Sequence, residues 1–87
     1  MEPGAALLPE VTTFLQSTWQ DVLNLPDVSP DDNFLQLGGD SIAAVLCLNQ
    51  IRAKFGIDIP IETLLGDPLT LDGVARAIVS RAEPAAR

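Results

Sequence analysis

Apolar side chains recur at steps of three and four in three stretches of the chain, and proline, glycine and aspartate punctuate what lies between them. The first stripe is Val11, Phe14, Leu15, Thr18, Trp19, Val22 and Leu23, with Glu10, Gln16, Gln20 and Asp21 on the other side. That period predicts an amphipathic helix. Pro9 and Glu10 suit its first turn, where a missing N–H leaves nothing unpaired and a carboxylate meets the positive end of the helix dipole. Pro26 puts its end near Asn24. A second helix is predicted from Ser41 to Phe55, with Asp40 as N-cap and Gly56 as its stop. A short segment, Pro60 to Leu65, reads as one or two helical turns closed by Gly66. The last helix has Thr70 as its cap and turns Leu71, Val74, Ala75, Ile78 and Val79 inward. No strand pattern, repeat or low-complexity tract competes. The expected fold class is all-α, a small bundle of three main helices plus one short helix.

Between the first two helices, Leu25 to Asp40 is rich in Pro, Asp, Ser and Gly and reads as a loop. It is much longer than the usual connection of about 4–6 residues, and loops of that length tend to be functional or disordered. Phe34, Leu35 and Leu37 argue for order, because they give the loop side chains to bury. Gly38-Gly39 permits a sharp turn just before the second helix. At 100° per residue, that helix gathers Ala44, Cys47, Leu48, Ile51 and Phe55 on its core face. Ile42, Leu46 and Ala53 fall among the polar positions Asn49, Gln50, Arg52 and Lys54, with Val45 at the border. Stacked outward apolar residues beside a Gly-Gly-Asp-Ser turn mark a candidate contact surface.

Composition narrows the function. The chain has 87 residues, 47% of them hydrophobic, with five Lys/Arg against twelve Asp/Glu and a net charge of −7. One globular domain fits that length, and a large enclosed catalytic cavity does not. The negative charge argues against nucleic acid, since no counterion release would drive binding to phosphate. There is no His, so the usual general base and the commonest zinc ligand are both missing, and no metal site is expected. The single Cys47 excludes an intramolecular disulfide framework and suits a reducing compartment. Met1-Glu2-Pro3-Gly4 lacks the basic start and apolar run of a signal peptide. The longest apolar run, Ile42 to Leu48, falls far short of the roughly 20 residues that span a bilayer. A soluble, cytoplasmic, monomeric protein with no membrane partner is the expectation.

Ser41 carries the candidate chemistry. At the first turn of a helix, backbone N–H groups and the dipole favour a phosphate ester. Flanking glycines would leave an approaching partner unobstructed. The plain alternative is a capped helix start and nothing more. Gly39-Asp40-Ser41-Ile42-Ala43 also fits the outline of a nucleophile elbow. An elbow needs a preceding strand and a general base, and the chain offers neither. The serine reads better as a hydroxyl that another enzyme modifies. Cys47, on the core face, reads as packing rather than as a reactive thiol.

The run Asp32-Asn33-Phe34-Leu35-Gln36-Leu37-Gly38-Gly39-Asp40-Ser41-Ile42 closely resembles the core motif of thiolation, or carrier-protein, domains, and most of all peptidyl carriers of nonribosomal peptide synthesis. The likeness continues through Ile51-Arg52-Ala53-Lys54-Phe55-Gly56, Ile59-Pro60-Ile61, Thr63-Leu64-Leu65 and Pro68 into the last helix, over roughly residues 10–82. It implies a four-helix carrier fold with a carrier domain at 9–82, an N-terminal tail at 1–8 and a C-terminal tail at 83–87. It also implies a non-enzymatic role. A phosphopantetheinyl transferase would move 4′-phosphopantetheine from coenzyme A onto Ser41, with Gly39 and Asp40 completing the attachment motif. The arm's thiol would then hold an aminoacyl, peptidyl or acyl thioester. Implied partners are a loading adenylation enzyme or acyltransferase, and downstream condensation, ketosynthase, tailoring or thioesterase enzymes. They would dock on Ile42, Val45, Leu46 and Asn49.

Acyl carriers of fatty acid and polyketide synthesis typically have an acidic second helix. Here Ser41–Phe55 has no acidic residue and carries Arg52 and Lys54, while Asp27, Asp31, Asp32 and Asp40 lie in the loop. That distribution favours apolar docking and a peptidyl-type carrier. An acyl carrier of a polyketide pathway and a helical interaction module without an arm are the alternatives. Two departures from the family pattern stand out. Leu35 replaces a common second aromatic, and Leu69 adds a residue between Pro68 and Thr70.

Overall fold

The structure is a computed structural model, and it describes residues 3–65 and 70–82. The described residues form three helices, α1 (Pro3–Leu23), α2 (Ser41–Phe55) and α3 (Leu71–Ala82), with a 3₁₀ turn at Ile61–Thr63. Among the described residues the sole β-type pairing is an isolated antiparallel bridge between Asn33 and Thr70. The expected all-α bundle of three main helices and one short one is what forms. No helix among the described residues is long and apolar enough to cross a membrane. Gly66, Pro68, Leu69 and the tail Glu83–Arg87 lie outside the described residues.

The start of α1 differs from the expectation. The helix begins at Pro3, and Pro9 lies inside it instead of opening it. Pro9 has no N–H to give to the carbonyl of residue 5, a defect of the kind that usually breaks a helix. Two features offset it. Pro3 already supplies a preset first turn, and Leu7 and Leu8 pack against the core. Downstream the stripe is as predicted, with Val11, Leu15, Thr18 and Trp19 buried and Phe14, Val22 and Leu23 packed at the edge. Asn24 follows in the left-handed region at φ 57°, where asparagine is one of the few residues tolerated.

For α2 the bounds and caps match the sequence reading. The Asp40 carboxylate accepts the Ala43 N–H at 2.9 Å. Gly56 takes φ 70° and gives its N–H to the Arg52 carbonyl. Ala44, Cys47 and Ile51 are buried, Ala43 joins them, and Leu48 and Phe55 pack at the margin. On α3, Thr70 caps through its Oγ1, which accepts the Gly73 N–H at 3.1 Å, and Leu71, Val74, Ala75 and Ile78 are buried. Two edge-to-face aromatic contacts join the elements: Phe14 to Phe55 at 5.3 Å and Trp19 to Phe34 at 5.1 Å between centroids.

Candidate functional site

The long loop before α2 is ordered by hydrogen bonds from both sides. The Gln16 and Gln20 side chains on α1 donate to the carbonyls of Val28 at 3.0 Å and Pro26 at 2.7 Å. Both glutamines were placed on a solvent face by their period; both are half-buried and hold the loop instead. From the far side, the N–H groups of Leu71 and Asp72 donate to the carbonyls of Asp32 and Pro30. These are first-turn donors of α3, which no helical carbonyl satisfies, so loop and helix complete each other. Within the loop, Ser29 N–H donates to the Asp32 carboxylate at 2.8 Å. Asn33 Oδ1 accepts the N–H groups of Leu35 and Gln36.

Those side-chain bonds wind residues 33–39 into a compact turn. Leu37, Gly38 and Gly39 donate in succession to the carbonyls of Asn33, Leu35 and Phe34. Of the loop's apolar residues, Phe34 is fully buried, Val28 nearly so, and Leu37 packs against the core. Leu35 is not buried: it is 42% exposed. Val28 takes the core place expected of Leu35, because an irregular loop has no period from which to read a facing direction.

The two glycines have separate jobs within the fold, beyond the clearance expected for a partner. Gly38 has φ 95°, a backbone that side chains rarely adopt. Gly39 lies directly on Phe34. A Cβ there would overlap the Phe34 ring and come within 2.8 Å of the Phe34 carbonyl oxygen. Phe34 in turn rests on Trp19. The turn that delivers Ser41 is thus stacked on the core through Gly39, Phe34 and Trp19.

Ser41 is the first residue of α2 and is exposed. Asp40 caps the helix beside it, and the N–H groups of Ser41 and Ile42 are the outermost donors of α2. Ile42 is 73% exposed, Val45 47% and Leu46 49%, and Asn49 is exposed one turn further on. Val45, expected at the border, therefore belongs to the outer face. Ser41, Ile42, Val45 and Leu46 line a shallow trough of about 290 Å³. Across the ridge made by Ile42 and Leu46 lies a second groove of about 300 Å³, bounded also by Val22, Leu23, Gly38, Asp40 and Ala43. No sequence pattern joins Leu23 to Asp40, so this groove was not foreseen.

The thiol is out of reach. Cys47 is fully buried. Burial pushes its thiol up to about 11, against a smaller downward pull from the Trp19 indole. That indole N–H is itself buried and finds no well-formed hydrogen-bond partner among the described residues. No group of His, Cys, Asp and Glu among the described residues could hold a metal ion. The backbone before Ser41 is turn and not strand, which removes the elbow geometry a hydrolase would need.

A short helical bundle with a long, anchored loop that ends on an exposed serine at a helix N-terminus defines a class, the carrier-protein fold. A type-II acyl carrier protein from Streptomyces verticillus involved in bleomycin biosynthesis superposes with a TM-score of 0.78 at 22% identity, covering 87% of this chain and 90% of that one. A solved complex of a phosphopantetheine transferase with coenzyme A and a peptidyl carrier protein matches at 25% identity and a TM-score of 0.75, covering 82% of this chain and 91% of the matched chain. The family model for the phosphopantetheine attachment site matches residues 13–78, and the chain belongs to that family. Phosphinothricin tripeptide synthetase of Streptomyces viridochromogenes is 35% identical over 78 residues, which is 88% of this chain and 7% of that synthetase. The chain is a carrier-protein domain of the kind that nonribosomal peptide synthetases contain, and phosphopantetheine is the group its family attaches.

Proposed function

We infer that Ser41 receives the phosphopantetheine and that the chain works as a peptidyl-type carrier in nonribosomal peptide or hybrid peptide–polyketide biosynthesis. The observation that carries this is the presentation of Ser41: an exposed hydroxyl at the first position of a capped 15-residue helix. The residues suit the group. A phosphodiester on Ser41 Oγ meets the donor end of α2, and no side chain of the two preceding glycines crowds it. When attached, the arm supplies a terminal thiol that forms a thioester with an aminoacyl, peptidyl or acyl group.

Attachment forms a bond between Ser41 Oγ and phosphorus and breaks the phosphoanhydride of coenzyme A, releasing adenosine 3′,5′-bisphosphate. This chain has no His and Cys47 is sealed in the core, so the base that takes the hydroxyl proton is proposed to lie on the transferase. The chain contributes a placed hydroxyl and performs no catalysis. The unit proposed for this is residues 9–82 together with the helical turns Pro3–Leu8 before them. Its proposed partners are a phosphopantetheinyl transferase, a loading adenylation enzyme or acyltransferase, and downstream condensation, ketosynthase, tailoring or thioesterase enzymes. Ile42, Val45, Leu46 and Asn49 are the proposed docking residues, and the absence of acidic residues from α2 supports the peptidyl over the acyl subclass.

The test is an intact-mass measurement after incubation with coenzyme A, Mg²⁺ and a promiscuous phosphopantetheinyl transferase. One added phosphopantetheine, lost completely in Ser41→Ala, is the expected result. No gain, or equal gain by the variant, sinks the assignment.

A further inference from the structure

Two depressions lie within reach of Ser41, and they differ in charge. The trough along the outer face of α2 has two rails, Ser41 with Val45 and Ile42 with Leu46, each pair one helical turn apart. No charged side chain lines it. The groove on the α1 side of the Ile42–Leu46 ridge has the exposed Asp40 carboxylate at its edge. We propose that the phosphopantetheine arm on Ser41 rests in the trough between these rails and is turned away from the groove beside α1. This deepens the preceding reading and rests on Ser41 being the attachment residue.

Electrostatics chooses the side. The phosphodiester is an anion fixed one residue from Asp40, whose carboxylate is held in place by the Ala43 N–H. Like charges this close repel, so the first bonds of the arm leave Ser41 on the side away from Asp40. The order of chemistry along the arm then matches the order of residues along the trough. After the phosphate comes a carbon bearing two methyl groups, which suits the Val45 and Leu46 side chains. A hydroxyl and two amides follow. Asn49 and Gln50, both exposed, stand about one turn beyond Val45, and Asn49 is about 12 Å along the axis from Ser41. Tethering gives the arm an effective concentration of order millimolar, enough to populate a contact too weak to hold a free molecule. The trough is shallow, so the thiol end stays in solvent. The arm then covers the same apolar residues that partners are proposed to use, and each docking event has to lift it away.

The experiment uses the full chain converted to the arm-bearing form, with conversion verified by mass. Isotope-filtered NMR then detects nuclear Overhauser contacts from the arm's paired methyls to ¹³C-methyl-labelled Ile, Val and Leu. Contacts to Ile42, Val45 and Leu46, unchanged on dilution and absent at Val22 and Leu23, are expected. Val45→Asp, on an exposed position, should lose them. Asp40→Asn keeps a capable N-cap while removing the charge, and should let contacts at Leu23 emerge. A complete mass gain with no methyl contact overturns the proposal while the attachment reading stands. So do contacts at Val22 and Leu23 in the unsubstituted protein, contacts that fade on dilution and so come from a second copy, or an Asp40→Asn pattern identical to the original. Failure to gain mass fails the attachment reading, and the proposal falls with it.

Discussion

The two faces of α2 are built from nearly the same kinds of residue and do opposite things. Ala43, Ala44, Cys47 and Ile51 point inward and are buried, while Ile42, Val45 and Leu46 point outward and stay open to solvent. Neither hydrophobicity nor size separates the groups, since an isoleucine stands in each. What separates them is angle around the helix, fixed once Asp40 sets where the helix begins. The inner face has Trp19 and the rest of the core to meet. Among the described residues no element is packed over the outer face, where Ile42 stays 73% exposed. An apolar face that folding leaves uncovered is available for other contacts.

That contrast can be attacked most directly by truncating one residue on each face. Ile51→Ala should lower unfolding free energy by about 2–5 kcal/mol in a urea titration, as buried large-to-small changes do. Leu46→Glu should stay within about 0.5 kcal/mol and keep its helical signal, while slowing processing by partner enzymes. A comparable loss of stability in Leu46→Glu would place it in the core and erase the contrast. The inner face also has a titration signature. Cys47 is held neutral in the folded state up to about 11, so between pH 9 and 11 the unfolded chain loses the proton first. The Cys47 contribution to stability should therefore be level well below pH 9 and fall by about 2–3 kcal/mol as pH approaches 11. Cys47→Ala should flatten that segment of the profile, and an unchanged slope would mean that the thiol is not sealed. A smaller loss is expected at the turn that leads into α2. Gly39→Ala has to displace Phe34 from Trp19, for about 1–3 kcal/mol of stability. It should also slow phosphopantetheine transfer, because the serine's turn moves with it.

Local chemistry explains which parts were legible beforehand. The limits of α2 follow from Asp40 and Gly56, residues whose own backbone and side chain make the cap, and both were read correctly. Thr70 is a case of the same kind. The outward placement of Ile42 and Leu46 followed from helical period alone. The start of α1 did not, because Pro9 resembles a first residue as much as Pro3 does, and packing by Leu7 and Leu8 decides between them. Around the serine, the residues themselves were legible but their supports were not. That Gly39 must be bare depends on the Phe34 ring. That Gln16 and Gln20 face the loop depends on where Val28 and Pro26 fold back. Such facts belong to pairs of residues that no local pattern links.

The loop's ties to α3 bear on the order in which the protein becomes usable. Ser41 is made before α3, yet the carbonyls of Pro30 and Asp32 upstream of it wait for donors on Asp72 and Leu71. A growing chain that has not yet delivered residue 72 cannot close that clasp. The setting of the serine is thus complete only once the first turn of α3 has been made.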